Sequence, residues 1–97
     1  MLSGKQRRYL NGLAHNLKPV VTLGNAGLTD NVINEIDLAL NTHELIKVKI
    51  NSGDRLSRLE INDHIAERVA CNQVKHIGRV FIYYRPAKKP SIQLPKA

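Results

Sequence analysis

The sequence holds one cysteine, Cys71, so no internal disulfide can form and a cystine-stapled scaffold is excluded. Tryptophan is absent, and the aromatics are Tyr9, Phe81, Tyr83 and Tyr84. That is a thin supply for a protein that stacks single-stranded bases on a sheet, and no stretch matches the aromatic octapeptide of such modules. The longest apolar runs, such as Val80-Phe81-Ile82-Tyr83-Tyr84, fall far below the roughly 20 residues of a membrane-spanning helix. The opening Met1-Leu2-Ser3-Gly4-Lys5-Gln6-Arg7-Arg8 carries no apolar core of a secretion signal. These absences lead to the expectation of a soluble protein in a reducing compartment, the cytoplasm.

Acidic residues are missing from both ends. Residues 1–18 hold Lys5, Arg7, Arg8 and Lys18, and residues 75–97 hold Lys75, Arg79, Arg85, Lys88, Lys89 and Lys96, with no acid in either stretch. The middle, 19–74, carries three more acidic than basic side chains, and the whole chain has a net charge of +7. If the ends meet in space they make one positive face, which attracts phosphate backbones and releases their condensed counterions. The bland alternative is a solvated surface that keeps a small protein in solution. A membrane surface fits less well, because the basic and apolar residues of 79–89 read as a strand and not as an amphipathic helix. With 97 residues, 42 % of them apolar, the chain makes one small domain with a core of its own.

Ser3 followed by Gln6 is a capping-box pattern, and Leu2, Gln6, Tyr9, Leu10, Leu13 and Leu17 recur at helical spacing. A first helix is predicted at about residues 3–15, with Lys5, Arg8, Gly12 and His15 on a separate arc. Lys18-Pro19 ends it. Residues 19–23 read as a short buried strand, and Gly24-Asn25-Ala26-Gly27 follows at once. Val32, Ile33, Ile36, Ala39 and Leu40 give an amphipathic helix over about 30–42, capped by Thr29 or Asp30. In the next strand Ile46, Val48 and Ile50 face one way and Lys47 and Lys49 the other, which leaves one face wet or functional. A third helix over about 55–71, a short strand at 74–77, a turn at Gly78-Arg79 and a last strand at 80–85 complete the order. The order α-β-α-β-α-β-β predicts an α/β domain, a mixed four-stranded sheet with three helices packed on it. It spans residues 1–89, and residues 90–97 form a basic, proline-containing tail without regular structure.

The most informative local feature is strand–Gly-x-x-Gly–helix at 23–29. Its glycines let the backbone turn sharply and let a phosphate approach with no Cβ in the way. No Gly-Lys-Ser/Thr follows, and the third glycine of a dinucleotide fingerprint is missing, so a clamp on a sugar-phosphate strand fits better. A tight strand-to-helix connection alone could also require those glycines. His15, His43, His64, His76 and Cys71 form no His-x-x-x-His or Cys-x-x-Cys pair, so no metal and no cofactor are expected. Cys71 reads as a small core residue, and Glu60, Asp63 and Glu67 as a solvated helical face, so no catalytic constellation emerges. Phe81, Tyr83 and Tyr84 read mainly as core, with Tyr83 or Tyr84 as rim contacts. Arg85, Lys88 and Lys89, at the exit of the last strand, read as phosphate contacts.

Lys18-Pro19-Val20-Val21-Thr22-Leu23-Gly24-Asn25-Ala26-Gly27-Leu28-Thr29 resembles the signature of the CRM RNA-binding domain. Glu44 to Ile50 looks like its second strand, and Ile77-Gly78-Arg79 with Tyr83-Tyr84-Arg85-Pro86 looks like its last hairpin. The match runs from residue 2 to about residue 89 and is most similar to the stand-alone bacterial form, the YhbY type. The resemblance implies a fold like the C-terminal domain of translation initiation factor three. It also implies RNA binding without catalysis, on precursors of the large ribosomal subunit; plant relatives assist intron splicing. The expectation is therefore a cytoplasmic, monomeric, non-enzymatic protein that binds ribosomal RNA. Its contact residues would be Lys5, Arg7, Arg8, Lys18, Gly24, Asn25, Ala26, Gly27, Arg85, Lys88 and Lys89. The rival expectation is a protein-interaction subunit that docks on a ribosomal protein through Asn31, Asn34, Glu35 and Asp37.

Overall fold

The computed structural model describes residues 2–97. Its elements are α1 (Gly4–Ala14), β1 (Pro19–Leu23), α2 (Asp30–His43), β2 (Leu45–Ile50), α3 (Arg55–Arg68), β3 (Asn72–Ile77) and β4 (Val80–Tyr84), in the predicted order. Side-chain caps start each helix. The Ser3 hydroxyl accepts from the Gln6 amide at 3.1 Å while the Gln6 side chain accepts from the Ser3 amide at 3.0 Å. Thr29 caps α2 by accepting from the Val32 amide, and Asp54 caps α3 by accepting from the Ser57 amide. The third helix stops earlier than predicted. Ala70 takes a positive φ of 51°, and the chain turns straight into β3, so Asn72 and Gln73 are strand and not a helix terminator.

The sheet order is β1-β2-β4-β3. β1 and β2 run parallel across the α2 crossover, while β4 lies antiparallel between β2 and β3. Both sheet faces are covered, which makes three layers. On one face α2 and α3 bury Ile33, Ile36, Leu40 and Ile65 against Val48, Ile50, Phe81 and Tyr83. On the other, α1 brings Leu2, Leu10 and Ala14 onto Leu45, Val74, Ile82 and Tyr84. Tyr83 and Tyr84 are 0 % and 3 % exposed, so neither is a rim contact. β4 is a central strand, and helices close over both of its faces. The Tyr83 hydroxyl donates to Asn62 Oδ1 at 2.8 Å, satisfying a buried polar pair, and burial pushes the phenol far above its usual range.

α1 is rotated from its expected seat. The buried residues are Leu10 and Ala14, whereas Tyr9, Leu13 and Leu17 stay at least 40 % exposed. The apolar arc alone misplaces the contact because half of α1's cover comes from elsewhere. Residues 86–97 form no helix or strand, yet Ile92 and Leu94 pack beside Leu10 and Tyr84, and Gln6 Nε2 donates to the Pro95 carbonyl at 3.0 Å. Glu44 holds this strap. Its buried carboxylate accepts from the amides of Ala87 at 3.0 Å, Ser91 at 2.7 Å and Ile92 at 3.1 Å. The Ala87 bond and its companions hold the Glu44 carboxyl below its usual range, although burial opposes them.

Candidate nucleic-acid interface

Strand register gives the sheet two distinct ends. Leu23 pairs with Ile50 at one of them, and Asn51 donates its amide to the Leu23 carbonyl. The Gly24–Gly27 loop, the 51–54 loop and the Gly78-Arg79 turn all emerge there, with the N-termini of α2 and α3. Leu45 pairs with Tyr84 at the other, where Glu44 gathers the strap. β2 separates the two ends by about 17 Å, five steps of roughly 3.3 Å.

The glycine loop is a tight turn, closed by the Gly27 amide donating to the Gly24 carbonyl at 3.0 Å. Gly27 needs its residue type for conformation, since its φ is +70°. Gly24 does not: its φ is not positive, and a Cβ there would meet nothing within 4 Å. Asn25 and Ala26 are exposed, and among the described residues their amides find no acceptor. Backbone amides left free in an exposed turn are the kind of donors that line anion-binding concavities.

Beside this loop lies a strip of sheet that α1 leaves uncovered. Thr22, Lys49, Val80 and Ile77 pair in turn across all four strands on the α1 side. Thr22, Lys49 and Ile77 are exposed. Asn11 and His15 of α1 wall a trough of about 260 Å³ with Ile77 and Val80. Lys47 has a structural task here, donating to the Leu17 carbonyl at 3.0 Å and closing the end of α1. Lys5, Arg8 and Gly12 lie on the outer side of α1, and a Cβ on Gly12 also meets nothing within 4 Å.

The predicted contact residues do not form one cluster. The termini do meet, through Gln6 and Pro95, but the tail does not reach the glycine loop. Lys88 and Lys89 are exposed beside Glu44, at the strap end. Lys18 precedes β1 and shares a groove with His43 and Ile92, so it too lies a full strand from Gly24. Arg7 points away from Lys5 and Arg8, over the β3 side, because it is about 100° from Arg8 around the helix.

Arg85 is withdrawn as a phosphate contact. Its Nη1 donates to Asp37 Oδ1 at 2.8 Å and to the Val69 carbonyl at 2.7 Å. Its Nη2 donates to the Asp37 carbonyl at 3.1 Å and to Asn41 Oδ1 at 2.8 Å. Both terminal nitrogens thus have both hydrogens committed. The same pairing occupies one carboxylate oxygen of Asp37, which stays half exposed on the acidic face of α2 where a protein partner was expected to dock.

Four further cations, outside the expected contact set, lie at the loop end: Lys49, Arg79, Arg55 and Arg58. The alternation of Lys47 and Lys49 did signal an uncovered face. Arg55 and Arg58 gave no such signal, since they sit in the slightly acidic middle of the chain. Some acids nearby are already occupied: Asp54 caps α3, and Asp30 forms an exposed pair with Arg68 at 3.3 Å. Burial pushes the Cys71 thiol up to about 11, which leaves it protonated and poorly nucleophilic.

Residues 2–85 match the family model for the CRS1 / YhbY (CRM) domain. An "RNA-binding protein" of Haemophilus influenzae is 48 % identical over 95 residues, covering 98 % of this chain and 96 % of its own. The "Probable RNA-binding protein YqeI" of Bacillus subtilis is 33 % identical over 96 residues, covering 98 % and 100 %. The solution structure of a hypothetical protein from Staphylococcus aureus superposes with a TM-score of 0.84 at 38 % identity, covering 98 % of this chain and 100 % of the other. The three helices and four-stranded mixed sheet are thus shared with a solved structure along the full length, and the chain belongs to the CRS1 / YhbY (CRM) domain family.

Proposed function

We propose that this protein binds structured RNA through its loop end, without catalysing a reaction on it. The contact surface is the Gly24–Gly27 turn, the uncovered strip around Lys49, and the outer stripe of α1 with Lys5, Arg8 and Gly12. The observation that carries the reading is the pair Gly12 and Gly24, neither of which the fold itself requires. An exposed glycine inside a helix costs about 1 kcal/mol relative to alanine. A surface that a phosphate backbone approaches closely explains both. RNA-binding relatives of equal length support the class of ligand. The stand-alone bacterial form further supports ribosomal RNA of large-subunit precursors as the target, with a cytoplasmic monomer as the working species.

Gly12→Ala and Gly24→Val test this reading. Gly12→Ala should raise stability by about 0.5–1 kcal/mol, and Gly24→Val should leave the melting midpoint close to that of the parent. Both should weaken binding to a hairpin RNA at fixed salt. Arg8→Glu and Lys49→Glu should weaken it too, each lowering the slope of log affinity against log salt by about 1. Unchanged affinity in Gly24→Val together with Lys49→Glu would remove the loop end from the interface. Co-sedimentation of the tagged chain with large-subunit precursors, and not with mature subunits, checks the target.

A further inference from the structure

β3 is an edge strand, and near its end His76 lies flat on Phe81. The ring centroids are 5.1 Å apart and the planes 21° from parallel. Phe81 is buried and fixed in the main core, whereas His76 is exposed. One face of the imidazole is therefore held from below and the other is open. A hollow of about 290 Å³ on one side is lined by Arg55, Arg58, His76 and Gly78. A second, of about 260 Å³, is lined by Arg7, Lys75 and His76. Four cations flank the ring, and no acidic side chain lines either hollow.

We infer that this edge is a seat for one unpaired RNA base, stacked on the open face of His76 with its flanking phosphates held by Arg55 and Arg58 on one side and Arg7 and Lys75 on the other. Histidine is one of the rings on which unstacked bases settle, and an imidazole already fixed by a ring beneath it loses little freedom when it accepts one. The hollows lie near the small end of ligand pockets, about 300 Å³, which suits one nucleotide and not a longer unpaired segment. Among the other aromatic side chains Phe81, Tyr83 and Tyr84 are buried, and Tyr9, on α1, is the one left exposed among the described residues. Charge favours RNA over an acidic peptide, since the cations stand in two pairs on either side of a flat ring, where the two phosphates flanking a stacked base would lie. The seat lies toward the β3 edge from the glycine loop, so a backbone gripped by the loop has a place to present one flipped or bulged base. This inference rests on the RNA-binding reading above.

Two hairpin RNAs test it, one with an uninterrupted stem and one with a single bulged adenosine in the same stem. The parent protein should bind the bulged hairpin more tightly, by about fivefold or more. His76→Ala should erase that preference while leaving affinity for the uninterrupted stem unchanged. His76→Phe should restore it, since a flat ring on Phe81 is what the seat needs. Arg55→Ala should weaken the bulged complex more than the uninterrupted one; Arg58 is the less clean test, since it also donates to the Gly53 carbonyl at 2.9 Å. Equal binding of both hairpins by the parent, or a preference that survives His76→Ala, overturns the seat and leaves backbone binding standing. Failure of the parent to bind either hairpin in a salt-dependent way overturns the RNA reading itself, and the seat with it.

Discussion

Arg85→Ala should lower stability by about 3 kcal/mol, as expected for removing a mostly buried guanidinium that makes four charge-assisted hydrogen bonds, with Asp37 itself half exposed. In a domain of this size that corresponds to a fall of roughly 12–24 °C in the melting midpoint. The guanidinium is 19 % exposed and ties four acceptors together: two on Asp37, one on Asn41 and the Val69 carbonyl. Val69 is the C-cap of α3, so the charge also sits at the negative end of a helix and satisfies a carbonyl without a partner inside that helix. α2, α3 and the end of β4 converge on this one side chain. Its removal leaves Asp37 and the Val69 carbonyl to compete for water in a half-closed space. Thermal and urea unfolding of Arg85→Ala measure the loss. RNA affinity, taken at a temperature where the variant remains folded, should equal that of the parent. A variant with an unchanged midpoint and lost affinity would return Arg85 to the interface. Lys89→Ala, at an exposed neighbour, should move stability by no more than about 0.5 kcal/mol.

Glu44→Gln should detach the strap. Glu44 Oε2 accepts from Ala87 while Oε1 accepts from both Ser91 and Ile92. An amide at this position must turn its NH₂ toward at least one of those N–H donors, so one acceptor becomes an opposing donor in a buried site. Hydrogen bonds to a charged group contribute about 1.5–3 kcal/mol each, so a loss of roughly 2–3 kcal/mol is expected. The same carboxyl gives the protein an acid-sensitive step. Folding holds the Glu44 carboxyl below its usual value of 4.5, so the unfolded chain binds the proton more readily than the folded one. The stabilisation is therefore complete above about the ordinary glutamate range and falls away as pH drops through the depressed folded value. Amide exchange at Ala87, Ser91 and Ile92 should quicken in that acid window in the parent and at all pH in Glu44→Gln. Protected amides in the variant at neutral pH would mean that Ile92 and Leu94 alone hold the strap.

Element order, sheet class and the caps of α1 and α2 were legible because each rests on short-range patterns: Ser3 with Gln6, the β-branched run of 19–23, and the alternation of 46–50; the Asp54 cap of α3 was read only as part of a turn. The seating of α1 was not legible. An apolar arc can name its neighbours only when the covering layer is complete, and here Ile92 and Leu94 join the layer while Leu13 and Leu17 are left lining an open groove with Ile92. Of the candidate site, residue type and spacing pointed to the glycine loop and the α1 stripe, but not to which end of the sheet each cation would reach. Lys18, Lys88 and Lys89 look close to the loop only if the charged termini are treated as one surface. One strand length of rigid sheet separates them from it. Arg85 was misread for a different reason: a strand-exit arginine beside a proline gives no hint that Asp37, Asn41 and Val69 wait for it from two other helices.

The bond from Gln6 to Pro95 sets the beginning and the end of the described chain side by side, away from the glycine loop. A short linker could join them, and new ends opened in an exposed turn would give a circularly permuted chain with the same core. By the same geometry the module can be spliced into a surface turn of a larger protein, entering and leaving through one stalk with its glycine loop held outward.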